Sequence, residues 1–417
     1  MLPSGDASGT RLRWAQACAG LAMWCLGALT LSIPKGLLPF GVLLLLTTAL
    51  VPVRVAAGAR RLGMPAAAVA AAVALAMGVP LVSSWMLGLE PGEVESLDRL
   101  LVLPWTMAWA YVLAPSSEWL WRGSLCGLAV AAVLAVLQVA DGAGRASGWG
   151  NAIVFADVVL LLTVLAVFCR PPGRWRWAVC GLVLGTLAIL LSGTRGTWPG
   201  LLMLLAVLVL GSGWRSRRSR LLLLGATVAG VAALVTAVPG MSERTRLQEL
   251  QRDIERIDHG DHDSSAGARL ERLRVAGRAF LEHPWTGVGF AHFDRAMERL
   301  PECRRTPAPE RCHLGHAHND LAEWAATMGL PGALALLALY GVPLALFVRL
   351  WWRAPRPPNP RGVALAGAVF VAAFASCGLT QSMFAHQTTT SFYAAVTGLL
   401  LGMAMREAAT RAQHRQA

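Results

Sequence analysis

Charge is what this 417-residue chain has least of: 15% of its residues are Asp, Glu, Lys or Arg, against 55% hydrophobic. With a mean hydropathy of +0.52, that scarcity excludes a single soluble core, because too little polar surface exists to clothe one. Lipid must solvate most of the chain. Short stretches of alternating polarity are also missing, which argues against a β-barrel. No small-x-small pattern surrounds Ser32–Gly36, so the first apolar segment, despite its basic lead at Arg11 and Arg13, is expected to remain as an anchor. Internal repeats, a feature of many transporters, are absent as well.

What is present is a series of continuous apolar runs, at 14–33, 38–56, 65–87, 99–114, 119–139, 151–169, 175–193, 197–212, 219–239, 321–348, 363–384 and 388–405. Each approaches the roughly 20 residues a membrane helix requires. The expectation is an all-α polytopic membrane protein of about twelve spans. Residues 1–239 carry helices 1–9, 240–320 form a mostly helical loop domain, and 321–417 hold helices 10–12 and a tail.

Acids are fewer than bases, 24 against 37, and the net charge of +13 invites a nucleic-acid reading. The placement of the arginines excludes it. Arg54, Arg60, Arg61, Arg122, Arg170, Arg174, Arg176, Arg215, Arg217, Arg218, Arg220 and Arg353 fall in every second connection, as the positive-inside rule requires of cytoplasmic segments. Both termini are then cytoplasmic. The opposite connections are neutral or acidic, as in Gly88–Asp98 with Glu90, Glu93 and Glu95.

The long connection from Pro239 to Asn319 lies on the outer side by the same alternation. Ser242 can cap a helix with Leu247, Leu250, Ile254 and Ile257 on one face. His259–Gly267, rich in Asp and Ser, reads as a break. A second amphipathic helix is expected over Ala268–His283, with Leu270, Leu273 and Phe280 pointing one way and Pro284 stopping it. Of eight cysteines, Cys303 and Cys312 flank a short turn in this loop. In an oxidising compartment they are expected to bond, contributing about 2–3 kcal/mol, with free thiols as an alternative. A zinc site with His313, His316 and His318 is the competing reading, though its spacing matches no standard metal pattern.

Three outer-side elements carry chemistry. Ser192-Gly193-Thr194-Arg195-Gly196 sets an arginine at membrane depth, costly unless paired or wet. Arg269-Leu270, with Pro284, Gly287 and Gly289 downstream, offers a guanidinium able to fork two bonds to phosphate oxygens; Arg272, Arg274 and Arg278 share its helix, mostly as a solvated face. His316-Ala317-His318-Asn319 supplies imidazoles that titrate near neutrality, suited to accept a hydroxyl proton or, alternatively, to cap the next helix.

Taken in order, Ser-Gly-Thr-Arg-Gly, Arg-Leu with Pro-x-x-Gly-x-Gly, and His-x-His-Asn-x-x-Leu running to Gly329 and Gly332 resemble the O-antigen ligase and polymerase superfamily of bacterial inner membranes, O-antigen ligases above all. The resemblance implies a glycosyltransferase that moves polysaccharide from undecaprenyl diphosphate to lipid A-core at the periplasmic face, inverting and without nucleotide or metal. It places the diphosphate-binding arginines at Arg195 and Arg269 and the general base at His318. His316, Asn319 and Glu323 are expected to orient the base or hold acceptor hydroxyls, and Lys35, Arg145 and His386 to touch phosphates or core sugars. Superfamily members often have Trp four residues after the loop arginine, where this chain has Leu273. The acceptor is not encoded in a motif: polymerase and protein O-oligosaccharyltransferase remain alternatives, and a lipid-linked sugar flippase is the rival from another class. The expected partners are the lipid-linked donor, lipid A-core and membrane lipid, with no nucleic acid and a monomeric state.

Overall fold

In lipid, every backbone N–H and C=O must be paired within the protein, and helices meet that demand segment by segment. A computed structural model describes residues 4–89, 97–211, 265–305, 312, 315–354 and 362–416, and the elements longer than a turn among them are α-helices. They are α1 (Ser4–Leu29), α2 (Leu38–Leu50), α3 (Pro52–Leu62), α4 (Met64–Met86), α5 (Val102–Leu113), α6 (Ser117–Ala140), α7 (Ala152–Phe168), α8 (Trp175–Ser192) and α9 (Trp198–Gly211). After the long connection come α10 (Ser265–Glu282), α11 (Phe293–Met297), α12 (Asp320–Trp352), α13 (Val363–Gly378) and α14 (Gln387–Gln416). The apolar run at 219–239, the helix expected from Ser242 and most of the break at 259–267 lie outside the described residues.

Five of the described helices, α4, α6, α8, α12 and α14, are long and apolar enough to cross a bilayer, or six if α2 and α3 make one span. Shorter apolar helices sit at Ala152–Phe168, Arg195–Val209 and Val363–Gly378. The protein is thus a polytopic helical bundle, while about twelve spans is more than these lengths establish. Large exposed apolar side chains such as Trp85, Val53 and Met64 clothe its outside, as a lipid-facing surface requires.

The run at 38–56 is not one straight helix. It breaks between α2 and α3, which meet at 94°, because Pro52 has no N–H to donate and its ring clashes with the preceding turn. α3 then buries Val55, Gly58 and Leu62 while Arg54, Arg60 and Arg61 stay exposed.

α7 is apolar apart from Asp157 and Thr163 and is buried from Phe155 onward, as a helix inside the bundle is. Close backbone approach joins two further helix pairs. A Cβ at Gly27 would stand 2.5 Å from Ser124 N on α6, and one at Gly398 would stand 2.2 Å from Leu103 O on α5. Gly123/Gly127 and Gly398/Gly402 both follow the small-x-x-x-small spacing that allows such approach.

α12 bends sharply at Gly329 (φ 66°, ψ −157°), and its hydrogen bonds are made up by the segment 284–289. Pro331 has no N–H to offer the Thr327 carbonyl, and Leu330 N–H turns away to Pro284 O at 2.7 Å. Gly289 N–H therefore bonds Thr327 O at 2.9 Å and Val288 N–H bonds Ala326 O at 3.0 Å. No buried main-chain group at the bend is left wanting among these. Gly287 (φ 65°) sits so close that an added Cβ would meet Thr327 C at 2.1 Å. The Pro-x-x-Gly-x-Gly segment and Gly329 are therefore one joint.

The buried face of α10 also departs from expectation. Arg272, Val275, Ala276 and Ala279 are buried, whereas Leu273 is 40% exposed and Leu270 and Phe280 are half-buried. Small alanines pack close under the cap, and the bulky residues fall beside them. Val275, Ala276, Ala279, Val288, Phe293, Ala296, Met297, Ala317 and Ala326 form a small separate core that fastens α10 and α11 onto α12. A disulfide joins Cys303 to Cys312, with Cα atoms 5.5 Å apart, at the edge of this core.

Candidate active site

The turn carrying Arg195 exists because α8 ends on Gly193 in the left-handed region (φ 61°), where a Cβ is costly. Ser192 Oγ donates to Ile189 O and accepts from Thr194 N–H, and a one-turn 3-10 helix, Arg195–Thr197, follows. Arg145 braces this turn from outside: its Nε donates to Ser192 O at 2.8 Å and its Nη2 to Thr194 Oγ1 at 3.0 Å. Thr380 Oγ1 donates to Gly196 O at 3.2 Å, joining the turn to the connection between α13 and α14.

That connection receives the histidine loop as well. Asn319 caps α12, its Oδ1 accepting from Ala322 N–H at 2.9 Å, while its Nδ2 donates to Leu379 O at 3.0 Å. Asp320, fully buried, accepts from Tyr340 Oη at 2.6 Å and from Phe384 N–H at 3.3 Å. Glu323 folds the loop back by accepting from Ala317 N–H. Asn319 and Glu323 are thus engaged in shaping the loop. His318 is held at φ 53°, a conformation costing a non-glycine residue on the order of 1–3 kcal/mol and typical of sites where a side chain must be aimed.

The imidazoles are linked through Gln381. His318 Nδ1 lies 2.7 Å from Gln381 Oε1, and Gln381 Nε2 lies 3.1 Å from His386 Nε2. Ser382 N–H also donates to Gln381 Oε1, at 3.1 Å, which identifies that atom as the oxygen. The tautomers follow: His318 donates from Nδ1–H and keeps its Nε2 lone pair, and His386 accepts at Nε2. The rings of His316 and His386 meet edge to face with centroids 5.9 Å apart.

Burial pushes His318 down to about 4, with Gln381 opposing and the charges of Arg272, Arg269 and His316 adding to the fall. His386 is likewise pushed to about 4 by burial and His316, and His316 is lowered by burial and Arg272. All three rings are therefore neutral near pH 7. A neutral imidazole with one nitrogen engaged and the other open can accept a proton, and nearby guanidinium groups favour an anionic ligand.

Of the residues expected at the site, Arg269, His316, His318, Asn319, Glu323 and His386 belong to this cluster. Arg195 is on the adjoining turn, and Arg145 acts as its brace. Lys35 lies apart, in a cleft between the α1–α2 connection and α14. Three residues escaped the sequence reading. Arg272, which spacing alone could not tell apart from Arg274 and Arg278, is 2% exposed and weighs on His318 more than Arg269 does. Gln381 carries no sequence motif. Asp157, inside α7, is fully buried, with the Cys377 thiol and the Arg269 charge acting on it. An acid within an apolar run was the available signal. Among the described residues no three His, Cys, Asp or Glu side chains gather as a metal site. Both cysteines of the alternative zinc set are in the disulfide, and His313 lies outside the described residues.

Comparison with known proteins bears on the same stretch. An uncharacterized protein of Haemophilus influenzae (strain ATCC 51907 / DSM 11121 / KW20 / Rd) is 23% identical over 249 residues, 58% of this chain. The match spans 61% of that relative's length. Residues 180–337 match the family model described as O-antigen ligase. That stretch holds the Arg195 turn, α10 and the histidine loop, and stops short of Gln381 and His386. That domain, set in a helical membrane bundle, supports membership of the O-antigen ligase/polymerase superfamily.

Proposed function

We propose that this protein transfers preassembled O-antigen polysaccharide from undecaprenyl diphosphate to lipid A-core oligosaccharide, at the periplasmic face of the bacterial inner membrane. The observation that carries the reading is the His318 imidazole, its Nδ1–H bonded to Gln381 and its ring kept neutral chiefly by burial, with the charges of Arg272 and Arg269 adding to that effect. In this mechanism His318 Nε2 takes the proton from an acceptor sugar hydroxyl. The hydroxyl oxygen bonds to the anomeric carbon as the bond from that carbon to the diphosphate oxygen breaks, inverting the centre. The departing lipid diphosphate gains negative charge, and Arg195 and Arg269, with Arg272 behind them, neutralise it in place. A diphosphate is already a good leaving group, so the scheme needs neither nucleotide nor metal.

The low affinity of free His318 for protons fits the sequence of events. The anionic donor offsets the arginine charges as it binds, so the imidazole becomes more basic only when substrate is present. The test is transfer by purified enzyme in proteoliposomes given the lipid-diphosphate glycan and lipid A-core. His318→Ala at equal membrane abundance is expected to abolish it, and persistent transfer by that variant would remove the base assignment. Offering a second glycan chain or a protein in place of lipid A-core separates ligase from polymerase and from protein glycosylation.

A further inference from the structure

A cleft of about 740 Å³ opens beside the histidine cluster, between the α1–α2 connection, the turn at 97–101, the loop at 147–151 and the start of α14. It is distinct from the site above but is joined to it at two places. Gln387 and Thr388, which directly follow His386, line one side. The other side belongs to the loop that Arg145 and the Ala146 N–H to Leu191 O bond (3.0 Å) fasten to the Arg195 turn.

Its chemistry is two-sided. The inner wall is hydrocarbon, from Phe40, Leu44, Val102, Val154 and Phe155, and among the described residues no Asp or Glu lines the cleft. Two cations do. Lys35, the single lysine of the chain, is held at φ 55°, a left-handed conformation that a lysine rarely adopts. Arg99 reaches Ser391 Oγ at 3.4 Å, and its Nε is buried and makes no hydrogen bond. Among the described residues neither forms an ion pair with a carboxylate. Two such cations above an apolar wall complement an amphiphile whose anionic group meets a hydrocarbon chain.

We propose that this cleft holds the phosphorylated, acylated end of the acceptor glycolipid, with Lys35 and Arg99 on its phosphate and the chains along Phe40, Leu44 and Val154. The proposal rests on the transfer reading above. In a single displacement the hydroxyl approaches opposite the leaving diphosphate, so its carrier belongs on the base's side. Gln381, His386 and Gln387 lead from the base to this cleft, whereas none of Arg195, Arg269 and Arg272 lines it.

Native mass spectrometry of the full-length protein in detergent tests it, titrating bisphosphorylated lipid A, its dephosphorylated form, phosphatidylglycerol and undecaprenyl phosphate. Bisphosphorylated lipid A is expected to bind best, and to weaken about tenfold or more on dephosphorylation or in the Lys35→Gln/Arg99→Gln double variant. His318→Ala should bind it like the parent, and Lys35→Arg should restore most of what Lys35→Gln loses; an unchanged unfolding midpoint confirms that each variant is folded. Undiminished binding by a folded double variant overturns the assignment. So does phosphatidylglycerol binding equally well, which marks an ordinary lipid contact, or undecaprenyl phosphate binding more tightly, which marks a donor groove. Charge-dependent glycolipid binding by a parent enzyme that transfers no sugar to it leaves the cleft standing and removes the transfer reading. Transfer without such binding does the reverse.

Discussion

Gln381 offers the sharpest test of how the site works, because it touches both His318 and His386 without facing the reacting atoms in the proposed scheme. Gln381→Leu keeps much of the side-chain volume and deletes the carboxamide. Two bonds to imidazoles are lost, at 2.7 and 3.1 Å. Each contributes about 0.5–1.5 kcal/mol net, so together they are worth about 1–3 kcal/mol of tautomer and ring orientation. If that preference is needed only as the proton moves, kcat falls roughly 5- to 150-fold while KM for the donor stays near its parent value.

The assay is steady-state transfer in proteoliposomes across pH. In the proposed scheme His318 acts as a base in its neutral form, so activity should disappear as pH falls through its pKa. With that pKa at about 4 in the free enzyme, kcat/KM should hold to roughly pH 5 and decline only below it. Gln381→Glu places a carboxylate at Nδ1, stabilises the imidazolium and raises that pKa; the acid limb must then move to higher pH. A parent-like kcat in Gln381→Leu, or an acid limb that stays put or shifts downward in Gln381→Glu, would refute the assignment of Nδ1 and the positioning role together.

Arg272→Met removes a buried charge that depresses His318; the acid limb should again move upward and transfer should fall, while Arg274→Ala, on the exposed face, should change activity and stability by no more than about 0.5 kcal/mol. Gly287→Ala forces a methyl group toward Thr327 C in a left-handed backbone. A loss of about 2 kcal/mol or more in cap stability is expected, read as faster limited proteolysis of the 265–305 region, and protease resistance like the parent's would refute the joint. Cys303→Ser with Cys312→Ser should lower stability by about 2–3 kcal/mol, checked by thermal unfolding of the purified protein with and without reductant. EDTA should leave transfer intact, and inhibition reversed by zinc would revive a metal-dependent scheme.

Much of the fold is legible from hydropathy alone, since a run of apolar residues in lipid has little choice but helix. The failures are instructive. The bend at Pro52 was visible as a proline yet hidden by the unbroken hydropathy around it. On α10 the reading sought large side chains, but Ala276 and Ala279 make the tight contact and Arg272 is carried inward with them. Gln381 is common chemistry in an unremarkable context, and only the folded proximity of two loops gives it two imidazole neighbours. Asp157 carried a signal that a hydropathy average dilutes.

The bend in α12 has a mechanical consequence. Because Pro284, Val288 and Gly289 complete the hydrogen bonding of a membrane helix, the cap is less a lid resting on the bundle than a splice in one of its rods. A fragment cut out as residues 240–320 would leave behind Ala326 and Thr327, the acceptors its own N–H groups require. Conversely, any tilt of the Asp320–Met328 half of α12 carries the 284–289 segment with it, so that Arg269 and Arg272 on α10 follow the loop that bears His316 and His318.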